Sequence, residues 1–191
     1  MAYFYLKTDR PIVFCANPRT ASQATAQWFM DRGAIKEGDH HDQPDPDHLQ
    51  ALADRGREPF IVQTVRHHCD MLTSWWFFKT AMYDFDADME VFFESIFSGE
   101  EPLLGCPRLY GKFQTNYILR YESLQYELEN LVLVAGNSLG ETPESIKLPR
   151  TTSPRSTGRG TQWFNVLPWA IHQKIQRIYA AEMEEMGYGG S

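Results

Sequence analysis

The sequence predicts an α/β fold: a single P-loop-like domain over residues 1–191, with a parallel β-sheet flanked by helices. Three observations lead to this prediction. The chain has 191 residues, of which 42% are hydrophobic and 23% charged, and such a chain can bury one core. Short apolar runs of strand length recur along it. Helical patterns separate these runs, and strands joined by crossover helices form parallel sheets.

Three apolar runs are the predicted strands. Residues 12–16 (IVFCA) lie between Pro11 and Pro18, which bound the first strand. Residues 60–65 (FIVQTV) form the second and residues 117–121 (YILRY) the third. Ligands of such sheets bind at the carboxyl ends of the strands, so the residues that follow each strand are the first candidates for a site.

Six helices are predicted after these strands. The first covers residues 22–32, with Ser22 as its N-cap and Gly33 as its stop. Pro168 opens the last helix, because proline suits a first helical turn. The other helices cover 48–54, 70–83, 89–97 and 123–135, and loops are expected at 37–47 and 151–160. Apolar positions mark the last two helices: Leu124, Leu128, Leu131 and Val132, then Ile171, Ile175, Ile178 and Met186.

Charge and cysteine content exclude several classes of protein. The net charge of −7 argues against nucleic-acid binding, which needs a basic surface. The three cysteines, Cys15, Cys69 and Cys106, form no CxxC pair, so we expect reduced thiols and neither a zinc site nor a disulfide framework.

No apolar stretch has the length of a membrane span, and residues 1–10 lack the apolar block of a signal peptide. A soluble, cytoplasmic protein is therefore expected, with no membrane partner.

The segment of residues 17–25 (NPRTASQAT) follows the first strand and opens a helix. Backbone N–H groups at a helix start favour anions, and Arg19, Thr20, Ser22 and Thr25 add a cation and hydroxyls. The segment can hold a phosphate or sulfate, although a plain turn capped by Ser22 explains it equally well. The G-x-x-x-x-G-K-[ST] pattern of nucleoside-triphosphate P-loops is absent.

A second anion-binding pair follows the second strand. Arg66 stands where that strand ends, and Ser74 follows two helical turns later. A guanidinium and a hydroxyl together suit a phosphate monoester. An ion pair between Arg66 and Asp70, four residues apart, is the alternative interpretation.

Together these segments resemble the PAPS-dependent sulfotransferases, which use 3′-phosphoadenosine-5′-phosphosulfate. The run Pro18-Arg19-Thr20-Ala21-Ser22 resembles the family's 5′-phosphosulfate loop, and Arg66 with Ser74 resembles its 3′-phosphate pair. Residues 117–124 (YILRYESL) and 186–188 (MGY) resemble its later strand-and-turn and its closing segment, so the likeness spans about residues 12–188. The run 74–78 (SWWFF) and the placement of His48 look most like the carbohydrate 2-O-sulfotransferase branch.

The resemblance implies a role for each matching residue. Arg19 would stabilise charge on the leaving phosphate, while Thr20, Ala21, Ser22, Gln23 and Ala24 would cradle the 5′ end. Arg66 and Ser74 would hold the 3′-phosphate. Arg155 and Arg159, in a later loop, would close over the same phosphate; the alternative is that this loop is a solvent-exposed tip without a binding role. The donor would be PAPS and the product PAP, with no metal required. Ala21 stands where glycine is commoner, so its turn is expected to avoid left-handed conformations.

The general base and the acceptor remain open. His48 is favoured as the base, with His40 and His41 as alternatives and a surface histidine as the competing interpretation for each. The acceptor would be a small molecule or a glycan bearing a hydroxyl or amine. The aromatic run 75–78 is expected to be mostly core, with at least one ring facing a cleft or partner. Two other functions are retained: a P-loop kinase of nucleotides or small molecules, and an inactive PAP-binding module.

Overall fold

In the computed structural model, the described residues are 3–7, 10–37, 46–55, 58–83, 88–99, 115–135 and 166–189. Eleven helices and strands lie within them. In chain order they are β1 (Tyr3–Leu6), β2 (Ile12–Cys15), α1 (Ser22–Met30), β3 (Ile35–Glu37), α2 (Pro46–Asp54), β4 (Phe60–Val65), α3 (His68–Tyr83), α4 (Met89–Ser98), β5 (Tyr117–Arg120), α5 (Leu124–Ala135) and α6 (Trp169–Glu185). A 3₁₀ turn, Tyr121–Ser123, joins β5 to α5.

These elements fall into two compact units. The first comprises the described parts of residues 1–65 and 112–154, and it contains the sheet with α1, α2 and α5. The second comprises the described parts of residues 66–111 and 155–191, and it contains α3, α4 and α6. The expectation of one domain over residues 1–191 stays a prediction.

The sheet of the first unit has five strands in the order β3-β1-β2-β4-β5. β2, β4 and β5 are parallel neighbours, whereas β1 runs antiparallel to both β2 and β3. The α/β class is therefore confirmed, but the prediction of a parallel sheet is wrong at this edge. Only five residues separate β1 from β2, too few for a crossover, so the two strands form an antiparallel pair.

Both faces of the central strands are buried. Alternating residues of β2 and β4 point into two clusters, and one cluster holds Phe14 and Val62 while the other holds Val13 and Ile61. The larger cluster also contains Trp28 and residues of α5, including all four apolar positions expected there. Burial on both faces explains why these strands read as continuous apolar runs.

Most predicted elements are confirmed with small changes at their ends. The strand at residues 60–65 has the predicted limits, and α2 and α3 each begin two residues earlier than expected. α1 ends at Met30 rather than at residue 32, and Gly33 follows it with a φ of 86°. The predicted loop at 151–160 and most of that at 37–47 lie outside the described residues, while Glu37 belongs to β3.

The second unit is helical in its described part. Ile171, Ile175 and Met186 are buried as the apolar pattern predicted, and Ile178 is half-buried. Of the aromatic run in α3, Trp75 is buried and the next three rings are half-buried. Lys174 of α6 binds Glu94 of α4 at 2.7 Å. Across the described residues, each helix is too short or too polar to cross a membrane.

Candidate anion-binding site

The turn between β2 and α1 has an unusual backbone. Arg19 has a φ of 61° and Ala21 a φ of 57°, so both lie in the left-handed region, although neither is a glycine. Thr20 between them keeps a negative φ, and the ring of Pro18 fixes its φ near −65°. Each left-handed residue costs about 1–2 kcal/mol. The turn therefore alternates in handedness over four residues and stores strain in two of them.

Two expectations about this turn are wrong. Ser22 is the first residue of α1 rather than its N-cap; the N-cap is Ala21, and no side chain caps the helix there. Ala21 was expected to avoid left-handed conformations, yet it adopts one with φ 57° and ψ 24°. The reason lies in the connection: the chain must turn sharply to leave β2 and enter α1, and the left-handed residues make that turn.

This geometry favours an anion. Successive residues of opposite handedness direct their backbone N–H groups into one concavity. The helix adds its dipole and the N–H groups of its first turn, which have no partner within the helix. The first turn of α1 contains no acidic residue that would repel an anion. Arg19 and Ser22 are half-buried and Gln23 is exposed.

A buried network of polar side chains joins the turn to the neighbouring strand β4. The Thr20 hydroxyl donates to the Asn17 carbonyl oxygen at 2.8 Å and lies 2.6 Å from the Thr64 hydroxyl of β4. The Asn17 side-chain amide donates to the Thr64 carbonyl oxygen at 2.6 Å. Since the Thr20 hydroxyl is used inside the protein, only the backbone of Thr20 is left to contact a ligand, and that contact stays a prediction.

A groove of about 570 Å³ adjoins the turn within the first unit. Ala21 and Ala24 form one side, and residues 121–126 with Glu129 form the other. Two carboxylates, those of Glu122 and Glu129, belong to its lining. The groove is therefore mostly apolar, with two acidic residues on the side away from the turn.

Glu127 holds the 3₁₀ turn that lines this groove. Its carboxylate accepts hydrogen bonds from Arg120 at 2.9 Å, and from Ser123 and the Tyr117 hydroxyl at 3.3 Å each. Burial, and then the negative charge of Glu127, raise the pKa of Tyr117 to about 12. The carboxylate is thus satisfied within the first unit and has a structural role.

Arg66 and Ser74 belong to the second unit, and both are buried with 6% of their surface exposed. Arg66 is the residue immediately after β4. Its guanidinium lies 4.0 Å from the Asp70 carboxylate, which matches the alternative interpretation of an ion pair. At that distance the pair is long compared with a charge-assisted hydrogen bond of 2.7–2.9 Å.

The two residues after Arg66 are anchored on the last helix and its extension. His68 Nε2 lies 3.0 Å from the Glu182 carboxylate, with the ring of Tyr179 packed at 5.4 Å. The His67 ring meets Tyr188 edge-on at 5.4 Å. These contacts make both histidines part of the packing of the second unit.

Five further candidate residues have side chains outside the described part of the chain. α2 contains His48, but its side chain lies outside the described residues, as do His40, His41, Arg155 and Arg159. The described part of the chain contains no group of three or more potential metal ligands. Cys15 and Cys69 are buried free thiols, and burial raises the pKa of Cys69 to about 12, while Cys106 is not described.

Sequence reasoning missed Asn17 and Thr64 as parts of the site. A signal was present, because Gln63 and Thr64 are polar residues near the end of an otherwise apolar strand. Buried polar groups need partners, and parallel pairing of β2 with β4 supplies them.

Comparison of the chain with protein-family models, with curated proteins and with solved structures finds no match.

Proposed function

We propose that this protein is a sulfotransferase that binds PAPS and passes its sulfuryl group to a hydroxyl or amine acceptor. The observation that carries the proposal is the turn at residues 18–21. Its alternating handedness and the open first turn of α1 suit an anionic phosphosulfate. The resemblance of the sequence to the family's 5′-phosphosulfate loop covers these same residues.

The donor carries a second phosphate, on the 3′ position, and Arg66 with Ser74 is the proposed partner of that group. Both side chains are buried, with 6% of their surface exposed. A planar guanidinium and a hydroxyl together suit a phosphate monoester, which can accept bidentate hydrogen bonds from the guanidinium.

The reaction needs few chemical groups from the protein. The acceptor oxygen or nitrogen attacks sulfur, the bond from sulfur to the bridging oxygen breaks, and PAP leaves with that oxygen. Arg19 would stabilise the negative charge that develops on the leaving phosphate, as a fixed cation that keeps its own proton. His48 is the proposed base that removes the acceptor's proton.

The acceptor is proposed to be neutral or cationic. The chain carries a net charge of −7, and Glu122 and Glu129 line the groove beside the turn. Such a field repels polyanionic glycans and attracts amines. The groove volume of about 570 Å³ suits a nucleoside or a small acceptor.

The test is release of PAP from PAPS by the full chain with a panel of alcohol and amine acceptors. We expect Arg19→Ala to slow release by about 10²–10³-fold, the effect of removing one charge-stabilising donor. Arg19→Lys should retain most of the rate, and Arg177→Ala, which changes an exposed arginine of α6, should retain all of it. A chain that binds PAP without turnover on any acceptor would instead be the inactive binding module.

A further inference from the structure

The strand β4 is buried along its whole length, yet it contains two polar residues near its end. Gln63 and Thr64 are 1% and 0% exposed. A buried polar side chain destabilises a fold unless it is hydrogen-bonded, so apolar residues would suit a purely structural strand better. The partners of these two side chains therefore indicate what they do.

Their partners lie on the segment that leads into the turn. Asn17 Nδ2 bonds the Thr64 carbonyl oxygen at 2.6 Å and lies 3.4 Å from the Gln63 side-chain oxygen. The Thr20 hydroxyl has one proton, which it donates to the Asn17 carbonyl oxygen. Thr64 must then be the donor in the 2.6 Å contact between the two threonine hydroxyls.

Thr20 lies between the two left-handed residues of the turn. Its fixed hydroxyl therefore fixes the peptide groups on either side, which belong to Arg19 and Ala21. Left-handed conformations of residues other than glycine persist only where the surrounding structure enforces them. The bonds from β4 are in the right place to enforce them.

We propose that Thr64 and Asn17 are positioning residues, which hold the turn at residues 18–21 in its anion-binding shape before any ligand arrives. Thr64 acts through the Thr20 hydroxyl, and Asn17 ties the start of the turn to the neighbouring strand. Neither residue is a ligand of the anion. The proposal rests on the proposed function only for the identity of the anion, PAPS or PAP.

The first measurement is amide hydrogen exchange of the turn without any ligand. Thr64→Val keeps the shape of the side chain and removes the hydroxyl, so amide exchange of residues 19–22 should become faster by at least about ten-fold, as expected for one lost buried hydrogen bond. Thr64→Ser keeps the hydroxyl and should resemble the wild type. Thr80→Val, which removes a hydroxyl bonded only within α3, is the matched control. Unchanged exchange in Thr64→Val would overturn the proposal.

If the single variants are less stable than the wild type, a double-mutant cycle tests the bond between Thr20 and Thr64 directly. Thr20→Val breaks the bond to Thr64 and also the bond to the Asn17 carbonyl oxygen. Adding Thr64→Val to Thr20→Val should therefore cost hardly any further stability to urea. Additive losses would show that the two hydroxyls act separately and would contradict the proposal.

The second measurement is calorimetric titration of the same variants with PAP. We expect PAP to bind Thr64→Val about ten-fold more weakly than the wild type and Thr64→Ser equally well. If the wild type does not bind PAP, the proposed function fails, and hydrogen exchange still decides the role of Thr64. If PAP binds Thr64→Val as tightly as the wild type, the positioning role fails and the sulfotransferase proposal stands.

Discussion

At the scale of single residues, the turn at 18–21 depends on backbone strain rather than on side-chain capping. Arg19 and Ala21 are left-handed, and no side chain caps α1. The sequence places both residues after a strand, but the residue type of Ala21 predicts an ordinary conformation there. Residue type does not show the direction that the chain must take. The strain is a property of the tertiary structure, which residue preferences cannot show.

Two alanines three residues apart should respond oppositely to glycine. Ala21→Gly relieves a left-handed conformation, so we expect it to raise the free energy of unfolding by about 0.5–1 kcal/mol despite the added chain entropy. Ala24→Gly lies within α1 and should lower it by about 1 kcal/mol. Urea denaturation of both variants measures the difference. A loss of equal size in the two variants would contradict the left-handed turn.

Tyr117 makes stability depend on high pH. Its pKa is raised to about 12 in the folded protein by burial and by Glu127, against 10 in the unfolded chain. The folded state therefore holds this proton more tightly, and stability falls as the pH rises from 10 through 12. Tyr117→Phe should show a shallower fall than the wild type in urea denaturation across this range. Equal slopes for the two proteins would show that Tyr117 is not perturbed.

At the scale of elements, the sequence predicts strands that are buried on both faces and helices whose apolar residues recur at a regular spacing. β4 was predicted with its observed limits because six consecutive buried residues leave a clear apolar run. β1 and β3 were missed because both are short. β3 is also an edge strand, and its residues Ile35 and Lys36 are exposed. Edge strands depend on pairing with a neighbour, and local sequence does not report that pairing.

A buried pair of side chains joins α3 to α6. His68 and Glu182 are 0% and 3% exposed and 3.0 Å apart. Removing one partner of a buried pair is strongly destabilising, because the other loses a hydrogen bond that it cannot replace with water. We expect Glu182→Ala to lower the free energy of unfolding by about 3–5 kcal/mol.

An exposed glutamate of the same helix provides the control for this prediction. Glu184→Ala should change stability by no more than about 0.5 kcal/mol, the usual range for surface substitutions. Thermal denaturation of both variants is sufficient. Similar losses for Glu182 and Glu184 would indicate that the buried pair does not hold the two helices together.

At the scale of the whole molecule, the sequence predicted the α/β class and the two segments that follow β2 and β4. Parallel pairing of these strands sets Cys15 opposite Gln63, so both strands end at one edge of the sheet. The polar network of Asn17, Thr20 and Thr64 was not predicted. Predicting it requires the pairing register of β2 with β4, and these strands are 45 residues apart in the chain. The roles of His48, Arg155 and Arg159 stay predictions.

The proposed sulfotransferase function requires that the protein bind PAP, the product of PAPS. The most direct test is calorimetric titration of the full chain with PAP in the absence of Mg²⁺, beside Arg66→Ala, the exposed control Arg177→Ala, and ATP with and without Mg²⁺. We predict that PAP binds the wild type and Arg177→Ala equally, and binds Arg66→Ala about ten- to a hundred-fold more weakly. Absence of PAP binding, or ATP binding that requires Mg²⁺, would contradict the account and favour a kinase.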